Sequence, residues 1–247
     1  MRQTAFDHAI YTNWAESLSC TVDHLKAPGT DLIPEEALAG SGAIHIRRIG
    51  RRAIARLDPA LLEIARRALA RLPGPAALEP AHLAPVLASR AIRKVEEGRL
   101  LYLFPPDFRP FNRPPDTKIR QLALDDAAAL AALQEACTPE EVEMGEVSVE
   151  DEIGFGCFAG KSLVAVATGF RLTGFMDIGV LTHPAYRRRG LGKAVVSALC
   201  AWCIAEPAIA QYRCDAANTG SYRIARALGF RNYFEEQSIY LASHGDA

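Results

Sequence analysis

The stretch THPAYRRRGLG, residues 182–192, decides the fold because it joins a strand to a helix through a basic turn with two glycines. The mainly apolar run at 175–182 before it has the length of a strand. After it, apolar residues recur every three or four positions, at Leu191, Val195, Leu199 and Trp202. This spacing predicts a helix that buries one face and ends before Pro207.

The turn itself has the features of an anion-binding site. Its glycines let the backbone approach a ligand closely, and the first N–H groups of the following helix have no partners within the helix. The helix dipole adds positive potential at the same place. The stretch therefore predicts a cradle for a pyrophosphate. It does not match a P-loop, because Ala194 stands where a Ser or Thr would hold magnesium.

The elements around this turn predict an α/β (α+β) fold with a mixed, mostly antiparallel sheet flanked by helices. Three consecutive strands are predicted at 154–159, 162–172 and 175–182, joined by turns at 159–161 and 173–174. A strand at 118–122 and a helix from Asp125 or Asp126 to about Cys137 precede them. A strand at 210–215, a helix from Asn218 or Thr219 to Leu228, a left-handed cap at Gly229 and final strands at 230–241 follow.

A proline-rich segment divides the chain. PPDFRPFNRPPD at 105–116 contains five prolines and predicts a linker between a smaller N-terminal α/β unit, 1–104, and a second domain, 117–247. In the first unit we expect a strand at 43–49, a helix that opens at Asp58 and stops at 73–75, a short helix at 81–93 and a strand at 99–104. The sequence assigns this unit no role.

The composition points away from polyanions and membranes. A net charge of -1 gives no overall field for nucleic acid, and no apolar stretch reaches the roughly 20 residues needed to span a bilayer. Without a hydrophobic signal core at the start, we expect a cytoplasmic protein that binds neither nucleic acid nor membrane. The six cysteines lack zinc-ligand spacing, so we expect free thiols and no metal.

Two motifs carry a family resemblance. Arg187-x-x-Gly190-x-Gly192 resembles the acetyl-CoA signature of the GNAT superfamily, and the segment 218–230, with Asn218 and Ser221, looks like that family's second conserved block. The resemblance covers roughly residues 117–243 and implies an acetyl-CoA-dependent N-acetyltransferase with a GNAT-like fold.

By this resemblance, the backbone amides of the basic turn would hold the CoA pyrophosphate, and the end of the preceding strand would hydrogen-bond the pantetheine arm where neighbouring strands splay apart. Two polar residues of the second block would lie near the pantetheine or the leaving sulfur. The implied cofactor-binding residues are Val180, Leu181, Thr182, Arg187, Arg188, Arg189, Gly190, Leu191, Gly192, Lys193, Asn218 and Ser221.

The catalytic groups are less clearly marked. Many family members carry a tyrosine that protonates the departing thiolate, but Ala225 occupies that position here; Tyr222 or a water would substitute. Asp177 is the candidate base because it stands in an otherwise apolar strand, although an acid on a solvated strand face is the alternative. His183 would serve as a base or as a surface turn residue.

The acceptor is not named by the sequence. Seven acids between Pro139 and Glu152 would either attract a cationic amine or form a solvated face. The resemblance implies acetyl transfer to a primary amine by direct attack, on a small molecule or a peptide, and a homodimer is a family-level expectation. The alternative is a non-catalytic acyl-CoA-binding module with a regulatory role.

Overall fold

The computed structural model describes residues 2–87, 91–112, 117–172 and 174–242. They form two compact units. The N-terminal unit contains the described residues within 7–100, 214–217 and 232–242, and the C-terminal unit contains 2–6, 101–213 and 218–231. Of the predicted features, residues 113–116 of the linker, the turn residue Thr173 and the end of the second domain at 243–247 lie outside the described residues.

The first part of the chain alternates helices and strands. Its helices are α1 (Gln3–Ser17), α2 (Val22–Lys26), α3 (Leu62–Arg71) and α4 (Pro80–Leu83), and its strands are β1 (Gly29–Pro34), β2 (Ala43–Ile49), β3 (Arg52–Leu57) and β4 (Ile92–Tyr102). The predicted strand at 43–49 is confirmed as β2. The predicted helix at 81–93 is wrong in its last part, because Ile92 already begins the long strand β4; residues 88–90 lie outside the described ranges.

The second part of the chain also combines strands with helices. Its strands are β5 (Lys118–Gln121), β6 (Ile153–Ala159), β7 (Ser162–Leu172), β8 (Phe175–Thr182) and β9 (Ala210–Asp215), and its helices are α5 (Ala127–Glu135), α6 (Pro139–Gly145), α7 (Leu191–Ala205) and α8 (Thr219–Leu228). Strands β7, β8 and β9 have the predicted bounds. Helix α6 is new, since the sequence indicated only a polar stretch there.

The last strand belongs to the N-terminal unit in all but its first residue. β10 (Arg231–Leu241) pairs antiparallel with β2, and the strands of this unit lie in the order β1-β3-β2-β10-β4. Ile44, Leu57 and Ile239 of this sheet pack in one hydrophobic core with two residues from the region of α3. These are Leu61, just before the helix, and Ala65, within it. The sequence had instead assigned 230–241 to the second domain.

In the C-terminal unit β5, β6, β7 and β8 are antiparallel neighbours, and β9 is parallel to β8. Residues 163–169 of β7 are buried without alternation, so both faces of this strand are covered. Helices α5 and α7 both pack against it. The predicted fold class, a mixed and mostly antiparallel sheet flanked by helices, is confirmed. Among the described helices, none is long and apolar enough to cross a membrane.

The pairing of β8 with β9 is short, and this positions the site. Only Met176 with Ala210 and Asp177 with Gln211 are in register, although β8 continues to Thr182 and β9 to Asp215. The two strands therefore diverge beyond this last pair, as the resemblance implied. We call the point of divergence the vertex.

Candidate functional site

A cavity of about 680 Å³ opens in the C-terminal unit from the vertex. Its walls come from β8, β9, α6, the start of α7 and the first turns of α8. Its lining residues include all of the sequence-predicted cofactor-binding residues except Arg189. The predicted motifs, which are 26 or more positions apart in the chain at Gly192 and Asn218, thus line one space.

The basic turn forms one end of this cavity. Arg188 has φ of 62° and Gly190 has φ of 79°, so left-handed residues alternate with Arg189 just before α7 begins. Successive N–H groups in such a turn converge on one point and form an anion-binding nest. The N-terminus of α7 adds its unpaired N–H groups to it. We call residues 188–193 the nest.

The glycines of the nest are required by space as well as by conformation. A Cβ on Gly190 would lie 3.1 Å from the ring of Phe111, and one on Gly192 would lie 2.9 Å from Thr182 Oγ1. Side chains would therefore fill the cradle or push the strand end away from the helix. The backbone of the nest leaves room for an anion to lie close to its N–H groups. It therefore fits the pyrophosphate of the donor that the resemblance implies.

The charged side chains that line the cavity also favour an anionic ligand. Among the described residues that line the cavity, one is acidic, Glu141, and five are basic: Arg187, Arg188, Lys193, Arg213 and Arg223. Lys193 also lies over the Phe111 ring at 3.6 Å, which holds its ammonium group beside the nest. The cavity is suited to a ligand with several negative charges.

Arg187 is held by groups of the protein itself. Its Nε donates to the Thr182 carbonyl at 3.2 Å, and its Nη1 lies 2.7 Å from Glu141 Oε1 on α6. Glu141 also closes the capping box of α6 by accepting from the Thr138 N–H. The Arg187 hydrogen bond, with that of Thr138, lowers the pKa of Glu141 below its ordinary value. Glu141 therefore stays ionised at neutral pH and shares Arg187 with any anion in the nest.

Three hydroxyl and amide side chains lie at the other wall. Asn218 caps α8 by accepting from the Ser221 N–H at 3.0 Å, as predicted. The Ser221 hydroxyl lies 2.8 Å from the hydroxyl of Tyr212 on β9. Tyr212 has no exposed surface, yet it lines the cavity. It is the β9 residue immediately beyond the vertex.

Asp177 lies under the vertex rather than in the cavity lining. The residue is 2% exposed, and its two carboxylate oxygens accept from Gln211 Nε2 at 3.0 Å and from Arg213 Nε at 2.7 Å. Arg213 also donates to Glu146 at 2.9 Å, and Gln211 accepts from Tyr102. The solvated strand face considered from the sequence does not apply, because the residue is buried. Its carboxylate orients Arg213, which does line the cavity.

Three other predicted residues also lie outside the lining. Tyr222 is on α8 but is not among the residues that line the cavity. The guanidinium of Arg189 lies over the Tyr186 ring at 5.1 Å. His183 accepts from the Ala185 N–H at 3.2 Å and caps a short 3-10 turn, which agrees with the turn-residue interpretation.

Three acidic residues of the segment 139–152 form ion pairs with arginines. Glu141 binds Arg187, Glu146 binds Arg213 and Glu152 binds Arg171. Helix α6 comes close to β8 because Gly179 lacks a side chain; a Cβ there would lie 2.3 Å from the Gly145 carbonyl oxygen. The segment therefore forms a wall of the cavity. Of its seven acidic residues, Glu141 is the one that lines the cavity.

Sequence reasoning missed Tyr212, Arg213 and Arg223 as cavity residues, whereas Glu141 was one of the seven acids considered for the acceptor site. Each missed residue belongs to a helix or strand, and the face of that element that lines the cavity becomes clear only when the neighbouring elements are known. Tyr212 and Arg213 follow the last β9 residue that pairs with β8, a register known only from the structure. Within the described ranges, no three His, Cys, Asp or Glu side chains come together as a candidate metal site.

Comparison with known proteins finds a matching family model for part of the chain. Residues 149–239 match the family model described as GNAT acetyltransferase. An uncharacterised N-acetyltransferase of the mutA 5' region of Streptomyces virginiae is 35% identical over 127 residues. That alignment covers 49% of this chain and 53% of the relative, so the chain spans about half the length of the curated relative it matches.

Solved structures share the fold. An acetyltransferase of the GNAT family from Colwellia psychrerythraea superposes with a TM-score of 0.52 at 15% identity, covering 76% of this chain and 76% of that one. A GNAT-family protein from Novosphingobium aromaticivorans superposes with a TM-score of 0.50 at 22% identity, covering 62% and 67%. At such identities the similarity concerns the fold alone.

Proposed function

We propose that this chain transfers the acetyl group of acetyl-CoA to a primary amine, a proposal supported by the match of residues 149–239 to the GNAT acetyltransferase family model. The observation that carries the proposal is the single cavity that joins a glycine-lined anion nest to the vertex of two diverging strands. This arrangement is suited to a long donor with a polyanionic end and a reactive end. The cytoplasmic location expected from the sequence stays part of the proposal.

The donor would lie along β8. Its pyrophosphate would sit on the N–H groups of the nest, and its pantetheine arm would hydrogen-bond to the edge of residues 180–182 that β9 leaves unpaired. The basic side chains of the turn, Arg187, Arg188 and Lys193, would offset the charges of the phosphates. With the nest at one end, the thioester reaches the vertex.

The amine must be neutral to attack the thioester, since an aliphatic ammonium with a pKa of about 10 has no free lone pair. Its proton would leave through water or through Asp177. Both oxygens of Asp177 already accept a hydrogen bond, from Gln211 and from Arg213, and the residue lies outside the cavity lining. We therefore assign Asp177 first to positioning Arg213 and second to proton transfer.

A non-catalytic acyl-CoA-binding module is the second candidate. It is favoured by two observations: Ala225 stands at the family's tyrosine position, and the only buried acid near the vertex among the described residues is held by internal donors. Such a protein would bind the donor and release no thiol with any amine.

The first experiment is a calorimetric titration with acetyl-CoA, followed by a thiol-release assay over small amines, amino acids and peptides. Lys193→Glu reverses a charge in the nest, and Lys161→Glu makes the same change in the exposed β6–β7 turn. We expect Lys193→Glu to weaken binding by about 10- to 100-fold, the size of a lost charge-assisted contact, and Lys161→Glu to leave it unchanged.

The outcomes separate the candidates. Binding with thiol release supports the transferase. Binding without thiol release, for every amine, supports the module. No binding to the parent protein, or equal effects of the two charge reversals, would contradict the proposed donor site.

A further inference from the structure

A second cavity, of about 310 Å³, lies within the N-terminal unit. Its floor is one face of the sheet. Side chains alternate along a strand, so Ile44 of β2 enters the core with α3 while His45 and Arg47 lie on the opposite face and line the cavity. The register adds two neighbours to this face, because Arg56 of β3 pairs with His45 and Glu236 of β10 pairs with Arg47.

The charged side chains around the second cavity balance one another. Besides His45, two lining residues are basic, Arg47 and Arg56, and two are acidic, Glu35 and Glu236. A ligand with charges of one sign would meet as many repulsive groups as attractive ones. A ligand that carries both signs can place each of its charges beside an opposite one. The second cavity is therefore suited to a zwitterion.

One of the two ion pairs in the second cavity is closed. Arg47 Nε donates to Glu236 Oε1 at 2.8 Å, and its Nη2 donates to the same oxygen. The guanidinium of Arg47 also lies over the Trp14 ring at 4.2 Å. These contacts together fix the arginine in place. The Arg47–Glu236 pair is thus a prebuilt wall of the cavity.

The other ion pair is open. Arg56 Nη1 and Glu35 Oε1 are 3.9 Å apart, which is too far for a hydrogen bond, and no other described residue accepts one from the Arg56 side chain. A guanidinium has five N–H donors and a carboxylate has about four acceptor sites. Both side chains therefore keep hydrogen-bonding capacity for a ligand in the cavity.

We propose that the second cavity binds a free α-amino acid with an apolar side chain, its carboxylate on Arg56 and its ammonium group on Glu35. The two charged groups of an α-amino acid are attached to one carbon, so the ligand can lie head to tail beside this open pair. A peptide carries its terminal charges on different residues and does not match. The ligand side chain would lie against Leu18 and Ile54, which are apolar residues of the lining.

The test is a calorimetric titration of the full chain, without acetyl-CoA, with leucine, methionine and phenylalanine. The tightest of the three is then compared with two analogues that each lack one charge; for leucine, these are 4-methylpentanoate and 3-methylbutylamine. We expect at least one amino acid to bind, and both of its analogues to bind at least about 10-fold more weakly, the size of a lost charge-assisted contact.

Three variants locate the site. Arg56→Gln should weaken binding of the amino acid by about 10-fold or more. Glu35→Gln should weaken the amino acid but strengthen the analogue that has only a carboxylate, because it removes the acid that competes for Arg56. The matched control is Arg66→Gln, which removes an arginine paired with Glu63 on α3 and should leave both affinities unchanged.

Several results would overturn this site. They are no binding of any of the three amino acids, equal binding of an analogue with one charge, and an equal loss in Arg66→Gln. Unchanged binding by Arg56→Gln would place the amino acid elsewhere, for example as an acceptor in the first cavity. If Arg56→Gln does not fold by urea titration, Glu35→Gln decides, and effects of the same sign on both ligands count against the site.

The inference does not depend on the proposed function. A parent protein that binds leucine but not acetyl-CoA would contradict the donor site and leave the amino-acid site standing. The reverse result, binding of acetyl-CoA alone, would overturn only the amino-acid site.

Discussion

At the scale of single residues, the fate of Asp177 shows how burial changes a chemical role. Its carboxylate accepts from both Gln211 and Arg213, so each oxygen has one donor and the charge is balanced by the guanidinium. A carboxylate held in this way orients its partners. The sequence identified the conspicuous acid but could not show that the next strand supplies its donors.

We therefore predict that Asp177→Asn acts mainly on stability. Breaking one side of a buried pair costs about 2–4 kcal/mol, reduced from the fully buried case because Arg213 is 37% exposed. Urea unfolding of Asp177→Asn, Arg213→Gln and the double variant should show a coupling of about 1 kcal/mol or more. Independent effects, together with loss of kcat in a fully stable Asp177→Asn, would instead make Asp177 the base.

A second residue-scale prediction concerns acid stability. The bidentate hydrogen bonds of Arg120, with the Ala123 N–H, hold the pKa of Asp126 at about 2, below its ordinary value of 3.8. Because the folded-state pKa is depressed, this contribution is present above about pH 4 and is lost as the pH falls toward 2.

We expect Asp126→Asn to cost about 1–2 kcal/mol at pH 7, since Arg120 is partly exposed. The free energies of unfolding of Asp126→Asn and the parent should differ by about 0.5–1 kcal/mol less at pH 3 than at pH 7. Urea unfolding at both pH values measures this difference. Asp125→Asn, at the exposed neighbouring position, is the control and should show neither effect. A difference that widens on acidification would contradict the assignment.

At the scale of elements, the sequence predicted best where the pattern was regular. Strands β7, β8 and β9 and the caps of α8 follow from apolar runs, Asn218 and Gly229. Helix α6 was missed because its apolar positions are too few to form a stripe, although Thr138 with Glu141 and Pro139 at the first helical position were local signals for it. β4 was predicted only from 99 onward, because charged residues interrupt its first half.

Helix α6 also provides a prediction about donor affinity. Glu141 holds Arg187 at the cavity, so a donor phosphate has to share that guanidinium with a carboxylate. Glu141→Gln should raise acetyl-CoA affinity by about two- to fivefold at low salt, because a partly exposed ion pair is worth less than about 1 kcal/mol. Glu140→Gln, one residue earlier and exposed, should leave the calorimetric Kd unchanged. Weaker binding by Glu141→Gln would show that α6 needs this pair to form the wall.

At the scale of the whole molecule, the cysteines report on the packing of both units. All six are free thiols, as expected from their spacing. Cys157, Cys200, Cys203 and Cys214 are buried, and burial raises the pKa of Cys203 to about 12 and that of Cys200 well above its ordinary value. Their thiolates are therefore scarce as well as inaccessible.

We predict that brief alkylation of the native protein at pH 8, read by peptide mass spectrometry, labels Cys20 and Cys137 first, since only these two are partly exposed. Denaturant should make all six reactive at similar rates. Early labelling of Cys200 or Cys203 would mean that α7 opens readily, which its buried face does not support.

The short pairing of β8 with β9 also bears on self-association. A strand edge without a partner is a template on which the strand of another molecule can add, and proteins normally blunt such edges. Here residues of α6 and α8 line the cavity beside the edge beyond Asp177, so this edge lies within a recess and not on an open face. The walls that shape the ligand site thus also shield an unpaired strand edge. A change that displaces α6 would expose this edge and favour aggregation.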